Sequence, residues 1–133
     1  MEMTGEILSN MIISAANNLG NHQNEIDQLN VFPVPDGDTG KNMFLTMSGA
    51  AQTARDVQEA EPLTLADKIA SATLKSARGN SGVILSQLFR GISKGLSQEG
   101  SFTGRGWAKA LQHASDTAYQ AVIDVYKRQV ILI

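Results

Sequence analysis

The run Asp36-Gly-Asp-Thr-Gly40 constrains this chain more than any other feature, because it turns the backbone tightly and an apolar helical period follows at once. Gly37 and Gly40 permit conformations and close approaches that a side chain blocks. Beyond them Met43, Phe44, Met47, Ala50, Ala51 and Ala54 recur at three- and four-residue steps, which predicts a helix entered directly from the turn. A second stretch of this kind, Ser76-Ala-Arg-Gly-Asn-Ser-Gly-Val83, precedes a periodic run through Val83, Ile84, Leu88, Phe89, Ile92 and Leu96. Glycine turns feeding helices, with no strong strand pattern or repeat, predict an all-α chain.

The remaining segments extend that reading. A first helix is predicted from about Gly5 to Gln23, capped by Thr4, with Ile7, Leu8, Met11, Ile12, Ala15 and Leu19 on its buried face. Pro62 marks a turn, and Thr64 followed by Asp67 resembles a capping box that starts a helix toward Ala77. Residues Gly100 to Gly106 form the next break, with Thr103 as candidate cap for a helix carrying Trp107, Leu111, Ala114, Ala118 and Val122. About five helices result, several with small-residue faces that allow close packing. At 133 residues and 42% hydrophobic, the chain suits one domain with a sizeable core. The expected division is a domain over residues 1–124 and an atypical tail over 125–133.

Composition narrows the function. A net charge of −2 without a basic run argues against nucleic acid as the main partner. No cysteine is present, so neither a disulfide framework nor thiolate chemistry is available. The N-terminal apolar residues are interrupted by Ser9, Asn10, Ser14, Asn17 and Asn18, which predicts an amphipathic core helix and not a signal peptide or membrane span. A cytoplasmic location fits. His22 and His113 each lack a second ligand at helical spacing and are expected in surface or capping roles. Trp107 is expected in the core, and Asp116 and Asp124 in solvent.

The two glycine turns carry the candidate chemistry. Asp36 and Asp38 offer hard oxygen ligands, and the unpaired N–H groups at a helix start favour an anion. Carboxylates there repel phosphate unless a divalent cation lies between them, and Mg²⁺ commonly takes one or two carboxylates plus phosphate oxygens. In the second turn, Gly79, Asn80, Ser81 and Gly82 can wrap phosphate oxygens, with Arg78 as a nearby cation. Each turn also has a purely structural reading: Asp-Gly is an ordinary turn former, and Asp38 or Thr39, like Asn80 or Ser81, is an ordinary N-cap. Standard motifs do not decide the matter. An EF-hand starting at Asp36 places Gly40 and Met47 where ligands belong, and the glycine spacing before Lys41 and Asn42 is not that of a Walker A loop. Two such entrances in one small domain favour a ligand.

Together these motifs, Asn30 to Met43 and Ala77-Arg-Gly-Asn-Ser-Gly-Val-Ile-Leu-Ser-Gln87, closely resemble the nucleotide-binding domain of the dihydroxyacetone kinase L-subunit (DhaL) family, in the branch found in bacterial fatty acid kinase. The similarity runs from about Ile7 to Val122. It implies an antiparallel helical bundle or barrel in which aspartates hold two Mg²⁺ ions that bridge the phosphates of ATP or ADP. By position, Asp36 and Asp38 match family metal ligands. Asn30 stands near a place where dihydroxyacetone kinases carry another Asp; it offers a neutral carbonyl oxygen, or serves as a turn-forming residue. Nucleotide contacts are implied at Thr39, Gly40, Asn42, Asn80, Ser81 and Gly82, with Gly79 in the same turn. Lys41 departs from the expected Thr; it opposes the helix dipole but can assist a polyphosphate.

The branch rests on Asn30-Val-Phe-Pro-Val-Pro and on Thr39, where dihydroxyacetone kinases usually have His. It implies phosphoryl transfer to a fatty acid presented by a separate DegV-type binding protein, giving an acyl phosphate for phospholipid synthesis. The alternatives are a dihydroxyacetone kinase-type phosphotransferase and a nucleotide-binding domain without activity. Family members continue through further helices, so the resemblance implies a C-terminally truncated chain and places any homodimer contact in domains beyond it.

Overall fold

The computed structural model describes residues 2–29, 37–58 and 60–132, with side chains described through residue 128. The described residues form six helices and no strand: α1 (Gly5–Asn21), α2 (Gln23–Gln28), α3 (Thr39–Asp56), α4 (Pro62–Ser76), α5 (Gly79–Glu99) and α6 (Gly104–Leu132). This is the expected all-helical bundle with one further element, α2. The first helix stops at Asn21 because His22, at φ −109° and ψ 8°, leaves the helical conformation. Its backbone N–H returns to Leu19 O at 3.1 Å, and its Nδ1–H donates to Asn18 O at 2.8 Å. His22 is thus the capping residue expected, and the chain re-enters a short helix immediately after it.

Helix starts follow local chemistry. Thr4 Oγ1 accepts the Ile7 N–H at 3.1 Å, and Thr103 Oγ1 accepts the Gly106 N–H at 3.1 Å, so both expected caps form. The expected capping box at Thr64 does not form. Helix α4 begins two residues earlier at Pro62, whose fixed φ and missing N–H suit the first helical position. Helix α5 likewise starts from Arg78 as N-cap, ahead of Asn80 and Ser81. At the other end of the chain, α6 continues to Leu132, past the predicted limit near Val122.

Helix α3 is central, packing on α1, α2, α4 and α5, while α6 lies along α5. Leu8, Ile12 and Ala16 of α1 meet Met47, Ala50, Ala51 and Ala54 of α3 and Leu65, Ala66 and Ile69 of α4 in one core. Leu65 and Ile69 are almost fully buried, each stabilising the fold by about 1.5–3 kcal/mol relative to exposure. The buried face of α1 is rotated from the predicted one. Gly5 lies against the Ala60 backbone, and this contact turns Leu8, Ser9 and Ile12 inward while Ile7, Met11 and Ala15 face out.

A similar correction applies to α5 and α6. Val83, Leu111 and Val122 are exposed, and the seam is built from Gly91 and Gly95 against Ala114 and Ala110. A Cβ at either glycine would come within 2.7 Å of the opposing Cα, so the two backbones approach closely and select alanine on α6. Trp107, half-buried, stacks on Phe102 with ring centroids 5.1 Å apart. No helix among the described residues is long and apolar enough to cross a membrane.

Candidate functional site

Helices α3 and α5 begin side by side, and this brings the two glycine turns together. Asp38 is the N-cap of α3, its carbonyl accepting the Asn42 N–H at 2.9 Å. Gly37 before it has φ +69°, a left-handed conformation that the turn into the helix requires. At the second entrance, Arg78 holds an extended conformation and Gly79 has φ +65°. A Cβ at Gly79 would lie 2.5 Å from Asn42 Nδ2, so the α5 entrance rests directly on the first turns of α3.

Two side-chain links join the entrances. Ser81 Oγ donates to Thr39 O at a long 3.4 Å, a weak bond. Thr46 Oγ1 donates to Asn42 O at 2.8 Å and accepts the Arg78 N–H at 3.2 Å. The expected residues Thr39 and Asn42 therefore sit against Gly79 and Ser81, with Asn80 half-buried in the same first turn of α5 and Gly82 beneath it, packed on Thr46. Buried Gly40 is held against Gln23 O and Asp27 of α2. Asn30 and Asp36, two of the expected metal ligands, lie outside the described residues.

Two residues at the site were missed in the sequence. Asp27, on α2, accepts the Lys41 N–H through Oδ1 at 3.1 Å and so caps the first turn of α3 from fourteen residues upstream. Its signal was obscured because the chain between Gln23 and Leu29 did not read as a helix. Thr46 is fully buried inside an apolar run of α3. A polar residue at a core-facing helical position is the one local signal, and the bond that gives it a role is made to a residue far along the chain.

The electrostatics divide between the entrances. Carboxylates of Asp27 and Asp38 lie at the positive end of the α3 dipole, where negative charge is favoured. The α5 entrance presents first-turn amides directly after Arg78, an exposed cationic residue, and amides with a cation close in sequence favour an anion. Hard oxygen donors at the first entrance suit Mg²⁺ and not a soft metal. Among the described residues no group of three or more His, Asp or Glu is placed to hold a metal ion.

Over 122 residues the chain is 43% identical to an uncharacterized protein of Staphylococcus saprophyticus and 42% identical to an uncharacterized protein of Staphylococcus aureus strain USA300. Each alignment covers 92% of this chain and 22% of the relative, so the chain spans about a fifth of the length of the curated relatives it matches. The DAK2 domain pattern matches residues 33–131, which include both glycine turns, all of α3, α4 and α5, and most of α6. Domains of this family are kinase-related and bind ADP or ATP. With its two turns paired at the start of α3 and α5, this chain belongs to the DAK2 domain family.

Proposed function

We propose that this chain is the nucleotide-binding part of a Mg²⁺-dependent phosphotransferase whose acceptor is a fatty acid carried by a DegV-type binding protein. The observation that carries the nucleotide reading is the meeting of two helix N-termini, one carrying carboxylates and the other Arg78. Asp38, with Asp36 from the same turn, would hold the metal, and Asn30 is the candidate third ligand. Asp27 adds a carboxylate at the first turn of α3, on the Lys41 N–H. The oxygens of Asp36 and Asp38 would hold Mg²⁺, which when bound would supply positive charge to offset that of the phosphates during transfer.

The chain's own residues bind and orient. Amides of Gly79, Asn80 and Ser81 would face the phosphates from the α5 entrance, with Gly82, whose N–H goes to Arg78 O, closing the turn behind them, while Thr39, Gly40 and Asn42 would border them from α3. Arg78 supplies positive charge that favours a polyphosphate over a nucleoside. Transfer of this kind needs no protein nucleophile, and positioning supplies most of the acceleration. The branch assignment is supported by Asn30-Val-Phe-Pro-Val-Pro and by Thr39 in place of histidine.

The test is transfer of the labelled γ-phosphate of ATP. Oleate presented by a DegV-type protein is compared with dihydroxyacetone presented by a dihydroxyacetone kinase K subunit, using the full-length relative. Labelled acyl phosphate with the first and none with the second is the expected result. The reverse pattern moves the chain to the dihydroxyacetone kinase branch, and Mg²⁺-dependent nucleotide binding without either product leaves a binding domain alone.

A further inference from the structure

We propose that Thr46 is a positioning residue that sets the spacing between the two helix entrances without touching the ligand. Its side chain is 0% exposed and lies about two turns into α3, below the site. A threonine hydroxyl has one hydrogen to donate and two lone pairs to accept with. Here the hydrogen goes to Asn42 O at 2.8 Å, the preceding turn of the same helix, which leaves the lone pairs for a neighbour. That neighbour is the Arg78 N–H at 3.2 Å, thirty-two residues later in the chain and immediately before α5.

The residues around this hydroxyl are shaped to it. A Cβ at Gly82 would lie 2.5 Å from Thr46 Oγ1, so the α5 turn reaches the hydroxyl because residue 82 has no side chain. Gly79 meets Asn42, the residue whose carbonyl receives the Thr46 proton. Arg78, Gly79 and Gly82 are thereby braced on a single turn of α3, Asn42 to Thr46. A helical threonine that only satisfied its own hydroxyl would need the bond to residue 42 and nothing more. The second bond, to a backbone donor of another element, gives this one its effect on geometry. With no bond to Thr46, the Arg78 N–H is a donor at a part-buried seam without its partner, and the α5 entrance is free to shift.

The substitutions Thr46→Val and Thr46→Ser separate this role from simple packing. Valine keeps the branched shape and loses the hydroxyl, whereas serine keeps the hydroxyl and loses the methyl group. Two quantities are measured on the 133-residue chain: amide hydrogen exchange at Arg78 and Gly82 without ligand, and calorimetric affinity for Mg²⁺-ADP. Core amides of α1 and α4 serve as the internal reference. Thr46→Val is expected to speed exchange at Arg78 and Gly82 by about tenfold relative to the reference. Affinity should weaken by a similar factor, while Thr46→Ser stays within about threefold of the unsubstituted chain in both.

Serine as damaging as valine, or exchange that rises uniformly across the chain, would reduce Thr46 to packing and overturn the proposal. Should Thr46→Val not fold, Thr46→Ala takes its place, since it leaves room for a water on the Arg78 N–H and carries the same expected order against serine. Only the affinity arm rests on the nucleotide reading. If the unsubstituted chain does not bind Mg²⁺-ADP, that reading fails, and the ligand-free exchange still decides whether Thr46 couples the two entrances.

Discussion

The two helix entrances have the same ingredients, a glycine turn with small polar residues ahead of a long helix, yet they end in opposite chemistry. At α3 the first turn is associated with acid: Asp38 is the N-cap and Asp27 reaches across from α2 to the Lys41 N–H. At α5 the N-cap residue is a cation, Arg78, which makes no side-chain capping bond, and the first helical residue is a glycine at φ +65°. A helix N-terminus by itself only favours negative charge. What differs is whether the protein supplies that charge or leaves it to a ligand. The pairing teaches that similar turns can carry opposite charge, and the proposed function rests on that difference, with a cation at one end and a phosphate at the other.

The largest expected effect comes from removing the acid. Asp38→Ala should lower the affinity for Mg²⁺-ADP by at least about 100-fold, the scale of a lost charge-assisted contact, and calorimetry would show it directly. Affinity unchanged from that of the unsubstituted chain breaks the comparison at its acidic end. Next is Gly79→Ala, which forces an L side chain into a left-handed conformation and places its Cβ against Asn42. A loss of about 2 kcal/mol in urea denaturation is expected. Full stability there means that the α5 entrance does not rest on α3 as described.

Asp27 sharpens the comparison because it tests a cap against a charge. Asp27→Ala should cost about 1 kcal/mol of stability, the usual scale of a lost N-terminal cap. Asp27→Asn keeps an acceptor for the Lys41 N–H and should recover most of that stability in the same denaturation experiment. If the asparagine variant is as unstable as the alanine one, charge and not hydrogen bonding is what α3 requires. The smallest effect belongs to Arg78, whose side chain is exposed and solvent-screened. Arg78→Ala should weaken ADP binding by about fivefold or less and leave adenosine binding unchanged; equal losses for the two would mean that it does not sense phosphate.

How much of this was legible in the sequence depends on how local the cause is. Caps at Thr4 and Thr103 and the apolar period of α3 are set by residues within a few positions, and they formed as read. The rotated face of α1 was not legible, because it is fixed by Gly5 meeting Ala60, a contact made only after the chain has folded back. The α5–α6 seam failed for the same reason. Leu111 and Val122 fit a helical stripe, but the glycines opposite reward alanine and leave the larger residues outside. At the site, the glycine turns announced themselves through composition, while Asp27 and Thr46 act across fourteen and thirty-two residues. Long-range partners of that kind leave no spacing signal in one sequence.

The most direct test of a shared cation-and-phosphate site is calorimetric titration of the 133-residue chain with ADP, with and without Mg²⁺. Pairing an acidic entrance with a cationic one predicts saturable binding with Mg²⁺ and little or none without it. Equal affinity in both conditions, or no binding by a folded sample containing Mg²⁺, would contradict the account.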